Sequence, residues 1–125
     1  MIKLVFCLRR RADLTREEFQ EYWRTQHGPL VASHASKLGI VRYAQLHAVP
    51  DEISLAIAGA RHAPEPFDGF AELWFDSLEA LGAAGSTPEG SAAAAELFTD
   101  EQRFIDHARS PLVIVNEHVI VEPAA

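Results

Sequence analysis

The sequence predicts an α+β sandwich of the split β-α-β, ferredoxin-like kind, with four antiparallel strands and helices on one face, and three observations predict it. Apolar runs of strand length recur at Ile2 to Leu8, Ile40 to Val49, Gly69 to Phe75 and Pro111 to Glu122, with helical stretches after the first and after the third. The runs carry apolar residues on both faces (Val5 and Phe6, Leu73 and Trp74, Val113 and Ile114), so the sheet face without helices also needs cover. At 125 residues, with 48% hydrophobic and 23% charged residues, the chain has a globular composition and enough length for one core. One domain over residues 1–125 is the expectation.

Ile2 to Leu8 is a nearly unbroken apolar run, and Arg9-Arg10-Arg11 after it is expected in a solvated turn. Thr15-Arg16-Glu17-Glu18 is a capping box: the Thr15 hydroxyl accepts from the Glu18 amide while the Glu18 carboxylate reaches back. Phe19, Tyr22, Trp23, His27 and Leu30 follow at helical spacing on one apolar face. Gly28-Pro29 is expected to stop that helix, because proline disfavours the helical conformation of the residue before it. Pro29 then opens a second helix, about Leu30 to Lys37, that ends near Gly39; the break takes His34 out of register with His27.

The strand IVRYAQLHAV places Val41, Tyr43, Gln45 and His47 on one face and stops at Pro50. Asp51 to Phe67 reads as a short helical piece followed by a proline-interrupted stretch, a connection long enough for a lid or binding loop. GFAELWF is the third strand, and Asp76 or Ser77 caps the helix after it. Thr87-Pro88 starts another helix, Thr99-Asp100-Glu101-Gln102 repeats the capping-box pattern ahead of Phe104 and Ile105, and PLVIVNEHVIVE is the closing strand.

The net charge of −7 argues against a nucleic-acid partner, since phosphate recognition needs a basic surface. No apolar run reaches the roughly 20 residues of a membrane span, and the N-terminal arginines follow the apolar segment where a secretory signal would place charge ahead of it. The expectation is a cytoplasmic protein that begins at Met1 and has no membrane partner. Six histidines are present without HxH, HExxH or a Cys-His cluster, so no dedicated metal site is expected. The glycines between Gly82 and Gly90 lack the strand-GxGxxG-helix context of a nucleotide site. Cys7, the single cysteine, lies in an apolar strand with no base to activate it.

Two side chains invite chemistry on their residue type alone. His27 suits proton transfer near neutral pH; as a helix-end residue it also suits a cap that gains from the helix dipole. Tyr43 suits hydrogen-bond donation to a carbonyl or enolate oxygen, and equally an amphipathic core position. Trp74 and Asp76, and Asn116 and His118, alternate on the third and fourth strands with the same double reading.

The segments KLVFCLRRRADLTREEFQEYWRTQHGPLV, RYAQLHAV, DGFAELWFDSLEAL and FIDHARSPLVIVNEHVIV together resemble the EthD-like branch of the dimeric α/β-barrel superfamily, and the resemblance covers nearly the whole chain. It implies a homodimer whose two sheets close into a barrel, with a small-molecule pocket in each subunit between sheet and helices. Relatives include muconolactone isomerases, polyketide cyclases, decarboxylases and cofactor-free monooxygenases, so reaction type does not transfer with fold. The methylmuconolactone isomerases use a histidine at the helix end and a tyrosine on the second strand, which match His27 and Tyr43 here. A cysteine that some of them carry on the third strand corresponds to Leu73, so that element is absent.

The resulting expectation is a homodimeric enzyme acting without a cofactor on a small carbonyl, lactone or aromatic-derived metabolite by isomerase, decarboxylase or oxygenase chemistry. His27 and Tyr43 are its expected catalytic pair, and Trp23, His47, Trp74, Asp76 and His118 its expected substrate contacts. The rival expectations are a non-catalytic small-molecule-binding accessory protein of a degradation pathway and a haem- or oxygen-dependent oxidoreductase.

Overall fold

A computed structural model describes residues 1–124. Strands β1 (Ile2–Leu8), β2 (Arg42–His47), β3 (Gly69–Phe75) and β4 (Leu112–Val115) form one sheet in the order β2-β3-β1-β4. Every neighbouring pair is antiparallel, with Leu4 opposite Leu73 and Ile114, and Tyr43 opposite Leu73. The expected ferredoxin-like α+β sheet is therefore present. Helices α1 (Arg16–Tyr22), α2 (Gly28–Leu38), α3 (Glu52–Ala60), α4 (Leu78–Ala83) and α5 (Pro88–Glu101) complete the chain. Among the described residues no helix is long and apolar enough to cross a membrane.

The first capping box forms as its sequence predicts, the Thr15 hydroxyl accepting from the Glu18 amide at 3.1 Å and the Glu18 carboxylate from the Thr15 amide at 2.9 Å. The helix it starts does not stop at Gly28-Pro29. Trp23–His27 is a π-helical turn that joins α1 directly to α2, and Gly28 itself is right-handed helical at φ −53°. Proline lacks an amide and its ring crowds the carbonyl four residues back. A wider π turn, closed here by the Gly28 amide on the Trp23 carbonyl, absorbs that conflict without ending the helix. Gly39, at φ +71°, is the actual terminator of the long helix.

Three further expectations change. Strand β4 ends at Val115, because Val115 already pairs with Lys3 and β1 has almost no residues left to pair beyond it. Thr99 to Glu101 form the last turn of α5 and not the start of a helix, with the Thr99 hydroxyl donating back to the Ala95 carbonyl. The arginine cluster is anchored: Asp68, only 4% exposed, accepts from the Arg10 amide, the Arg10 guanidinium and Arg16, while Arg9 donates to the carbonyls of Glu65 and Pro66. This holds the turn after β1 against the entry to β3. The connection before β3 does contain the expected helical piece, α3, capped by Asp51 on the Ser54 amide, and none of its residues is buried.

Two apolar clusters fill the space between sheet and helices. One gathers Phe6, Leu8, Phe19, Trp23, Ala71, Phe104 and Ile105; the other gathers Val31, Leu38, Ile40, Phe75, Ala93 and Leu97. Tyr43 and Leu73 pack against both clusters. The gap between the clusters is the site.

Candidate functional site

A cavity of about 240 Å³ lies over the helix-facing side of the sheet, floored by Leu4, Phe6, Tyr43, Ala71 and Leu73. Trp23, His27 and Val31 form one wall, and Leu97, Phe98 and Glu101 of α5 with His107 close another. Its lining is mostly apolar, so each polar group in it stands in a weakly screening environment.

His27 is 5% exposed and its Nδ1 lies 2.8 Å from a carboxylate oxygen of Asp100, at the end of α5. The other Asp100 oxygen accepts from the Tyr22 hydroxyl at 2.5 Å, so Asp100 is held from two sides of the long helix. A carboxylate can only accept, which places the imidazole proton on Nδ1 and leaves Nε2 as the nitrogen available to the cavity. Phe104, its ring centroid 5.0 Å from that of His27, fixes the imidazole from the side. A carboxylate-oriented histidine facing an apolar cavity can take a proton from a bound carbon acid and return it.

Tyr43 is set by a different network. The Gln45 amide donates to the Tyr43 oxygen at 2.9 Å and to the Trp23 carbonyl at 2.9 Å, and its own oxygen accepts from His47 Nε2 at 2.8 Å. Because the Tyr43 oxygen is already an acceptor, its hydrogen remains free to be donated into the cavity. Burial pushes the Tyr43 hydroxyl above its usual pKa of 10.0, and nearby Glu101 adds to the effect, so the group stays a donor at neutral pH. A Cβ on Gly28 would sit 3.1 Å from the Gln45 amide nitrogen, so the glycine of the Gly-Pro pair gives this network room.

A second histidine-carboxylate pair completes the lining: His107 Nε2 lies 3.1 Å from a Glu101 oxygen. His107 sits in the 3₁₀ turn His107–Arg109 before β4, flanked by Phe98 at 5.1 Å and Phe6 at 6.1 Å between ring centroids.

Of the expected residues, His27, Tyr43 and Trp23 meet at this cavity. His47 does not line it; its ring stacks on the far side of Trp23 at 4.4 Å and its contribution reaches the cavity through Gln45. Trp74 points to the opposite face of the sheet, covered by Lys3 at 4.7 Å and Arg42 at 4.3 Å from its ring centroid. Asp76 is exposed and caps nothing, since the Ser77 hydroxyl takes the Ala80 amide. His118 is exposed in the stretch beyond the shortened β4. Asp100, Glu101, Gln45 and His107 were not among the expected site residues. The first two lay hidden in a stretch that reads locally as a helix start.

The comparisons agree with this frame. A family model described as the EthD domain matches residues 11–108. An ethyl tert-butyl ether D (EthD) family protein from Bacillus halodurans is similar in structure at a TM-score of 0.61 and 20% identity, over 94% of this chain and 100% of that one. An EthD-like protein from Ralstonia eutropha is similar at a TM-score of 0.52 and 19% identity, over 98% and 96% of the two chains. A dimeric protein of ferredoxin-like fold from Bacteroides fragilis is similar at 0.58 and 14%, over 93% and 95%. A search of curated proteins gives no match. At these identities the solved structures speak for the fold, and the domain match, which spans most of the chain, speaks for the family: the chain belongs to the EthD domain family.

Proposed function

We propose that this EthD-family protein is a cofactor-free acid-base enzyme that moves a proton on a small, largely apolar carbonyl compound, lactone or aromatic-derived metabolite. The observation that carries the reading is that His27, oriented by Asp100, and the donor hydroxyl of Tyr43 line one apolar cavity. With the substrate carbonyl oxygen at Tyr43, His27 Nε2 removes a proton from the carbon next to the carbonyl. The C–H electron pair moves into the carbon-carbon bond, the carbonyl electrons move to oxygen, and the Tyr43 O–H stabilises the resulting enolate. Reprotonation at the same or a conjugated carbon gives exchange or isomerisation; loss of CO2 by cleavage of a carbon-carboxylate bond gives the same enolate, and its protonation by His27 completes a decarboxylation.

The working form in this reading is a homodimer. Its support is the exposed apolar side chains on the outer face of the sheet, Leu46 at 43% and Val113 at 48%, beside the Lys3, Arg42 and Glu72 cluster around Trp74, together with the dimeric state of the Bacteroides fragilis relative.

The test is solvent-deuterium exchange at the carbons flanking the carbonyl of cyclohexanone, followed by NMR. The expected result is exchange catalysed by the protein and reduced about 100-fold in both His27→Gln and Tyr43→Phe, with circular dichroism unchanged. Exchange no faster than in buffer overturns the proposal. Tight binding of the ketone without exchange would instead favour the accessory-protein reading.

A further inference from the structure

We propose that His107, held by Glu101, is a second acid-base residue of this cavity, which delivers a solvent-derived proton to a substrate carbon remote from the one His27 deprotonates. The inference rests on the proton-transfer reading above and assigns the second half of the reaction.

Placement is the first argument. Tyr43 belongs to β2 at one edge of the sheet, whereas His107 packs on Phe6 of β1 just before β4 at the other edge. With neighbouring strands about 4.8 Å apart, a carbonyl anchored at Tyr43 directs the far end of an elongated or cyclic substrate toward His107. His27 and His107 both line this one cavity, and each has one ring nitrogen committed to a carboxylate and the other, among the described residues, without a hydrogen-bond partner. The committed nitrogen differs, Nδ1 in His27 and Nε2 in His107.

Solvent access is the second argument. The side chain of His27 is 6% exposed and that of Asp100 15%, so a proton taken there meets water less directly. His107 and Glu101 are 30% and 20% exposed. His107 also lines an open outer cleft together with Arg11, Asp13, Gln102 and Asp106, so the residue forms part of the partition between that cleft and the cavity. A group in that position can be reloaded from bulk water between turnovers; His27 cannot be reloaded so directly. Glu101, 3.1 Å from Nε2, holds the imidazole in this position.

The step balances within the substrate and the two histidines. From a β,γ-unsaturated ketone, His27 Nε2 takes a proton from the α carbon and leaves a dienolate. The His107 ring nitrogen then gives a proton to the γ carbon, the double bond shifts into conjugation and the carbonyl re-forms. His27 ends protonated and His107 neutral, and both are restored by net transfer of one proton through water.

The test uses β,γ-unsaturated cyclohexenone as probe in deuterated water, with α-carbon exchange and conversion to the conjugated enone read separately by NMR. The expected result is deuterium at the γ carbon of the product and a ratio of conversion to α-exchange that falls at least tenfold in His107→Gln. Glu101→Gln, which leaves His107 in place, lowers the same ratio by a smaller factor and serves if His107→Gln does not fold. A purely structural role would lower both rates together, so an unchanged ratio in both variants overturns the inference. Wild-type α-exchange without any conversion overturns it too while leaving His27 and Tyr43 in their roles. Absence of α-exchange in the wild type overturns the underlying reading as well.

Discussion

The His27-Asp100 pair can be weighed by a double-mutant cycle that contains its own control. His34 Nε2 lies 2.9 Å from Glu96, nearly the same distance as His27 from Asp100 at 2.8 Å, and on the same long helix. The acceptors differ: the Glu96 side chain is 57% exposed and the Asp100 side chain 15%. Water competes for the first bond and hardly for the second. Coupling between His27→Gln and Asp100→Asn is therefore expected at about 2 kcal/mol, as for a buried hydrogen bond to a charged group. Coupling between His34→Gln and Glu96→Gln is expected below about 1 kcal/mol. Any change that Asp100→Asn makes to the bond from the Tyr22 hydroxyl is common to the single and double variants and cancels in the cycle. Urea unfolding measures both, and at about 1.5 kcal/mol per molar urea the larger coupling moves a midpoint by about 1 M. Equal couplings, or a His27-Asp100 coupling below about 1 kcal/mol, would refute the claim that burial makes Asp100 the orienting partner.

Two other outcomes follow from the same geometry. In Gly69→Ala the new Cβ would lie 2.6 Å from Trp23 Cζ3 and 2.7 Å from the Leu46 carbonyl oxygen, so the cavity wall must shift; a loss of about 1–3 kcal/mol is expected, read as a lower calorimetric midpoint, and an unchanged midpoint would show that Trp23 has room to move. Burial, aided by Arg24, lowers the His47 pKa below its ordinary 6.5, so the unfolded chain binds the proton first as the solution is acidified. The His47 contribution is thus intact above pH 6.5 and is lost as pH falls from 6.5 through the depressed folded value. Urea midpoints measured on both sides of pH 6.5 should converge in His47→Gln relative to wild type; an identical pH dependence in the two proteins would contradict this.

The parts of the fold that were legible in the sequence are those decided by near neighbours. The Thr15 capping box, the Gly39 terminator and the four strand runs are written in a few adjacent residues each. Apart from Gly28-Pro29, where a local π turn carries the helix past the proline, the failures are non-local. The end of β4 is set by where β1 stops. Trp74 alternates with Leu73, but when both faces of a strand are apolar the pattern cannot say which one the helices cover. Asp100 meets His27 across 73 positions, and the stretch that holds it reads as a helix start because Thr-x-x-Gln carries no mark of which end it occupies. Residue chemistry singled out His27 and Tyr43, and the resemblance placed them in one pocket. Of their supports, Gln45 stood on the same strand face as Tyr43 in the sequence already, whereas Asp100 became visible only when the chain was closed up.

Trp23, His27 and Val31 are spaced by four and all face the cavity. In a regular α-helix each step of four overshoots a full turn by about 40°, so the third side chain would have swung about 80° away from the first. The slower winding between Trp23 and His27 takes back part of that overshoot and keeps the three in a column. The stretch therefore keeps time for everything after it. With the wide turn kept, removing one residue of α2 ahead of Val31 would turn the remainder of the helix by about 100°, taking Val31 out of the cavity and His34 away from Glu96 while leaving every composition-based helix signal intact. Along this segment the count of residues is constrained more tightly than their identity, and substitutions should be tolerated at positions where a single deletion is not.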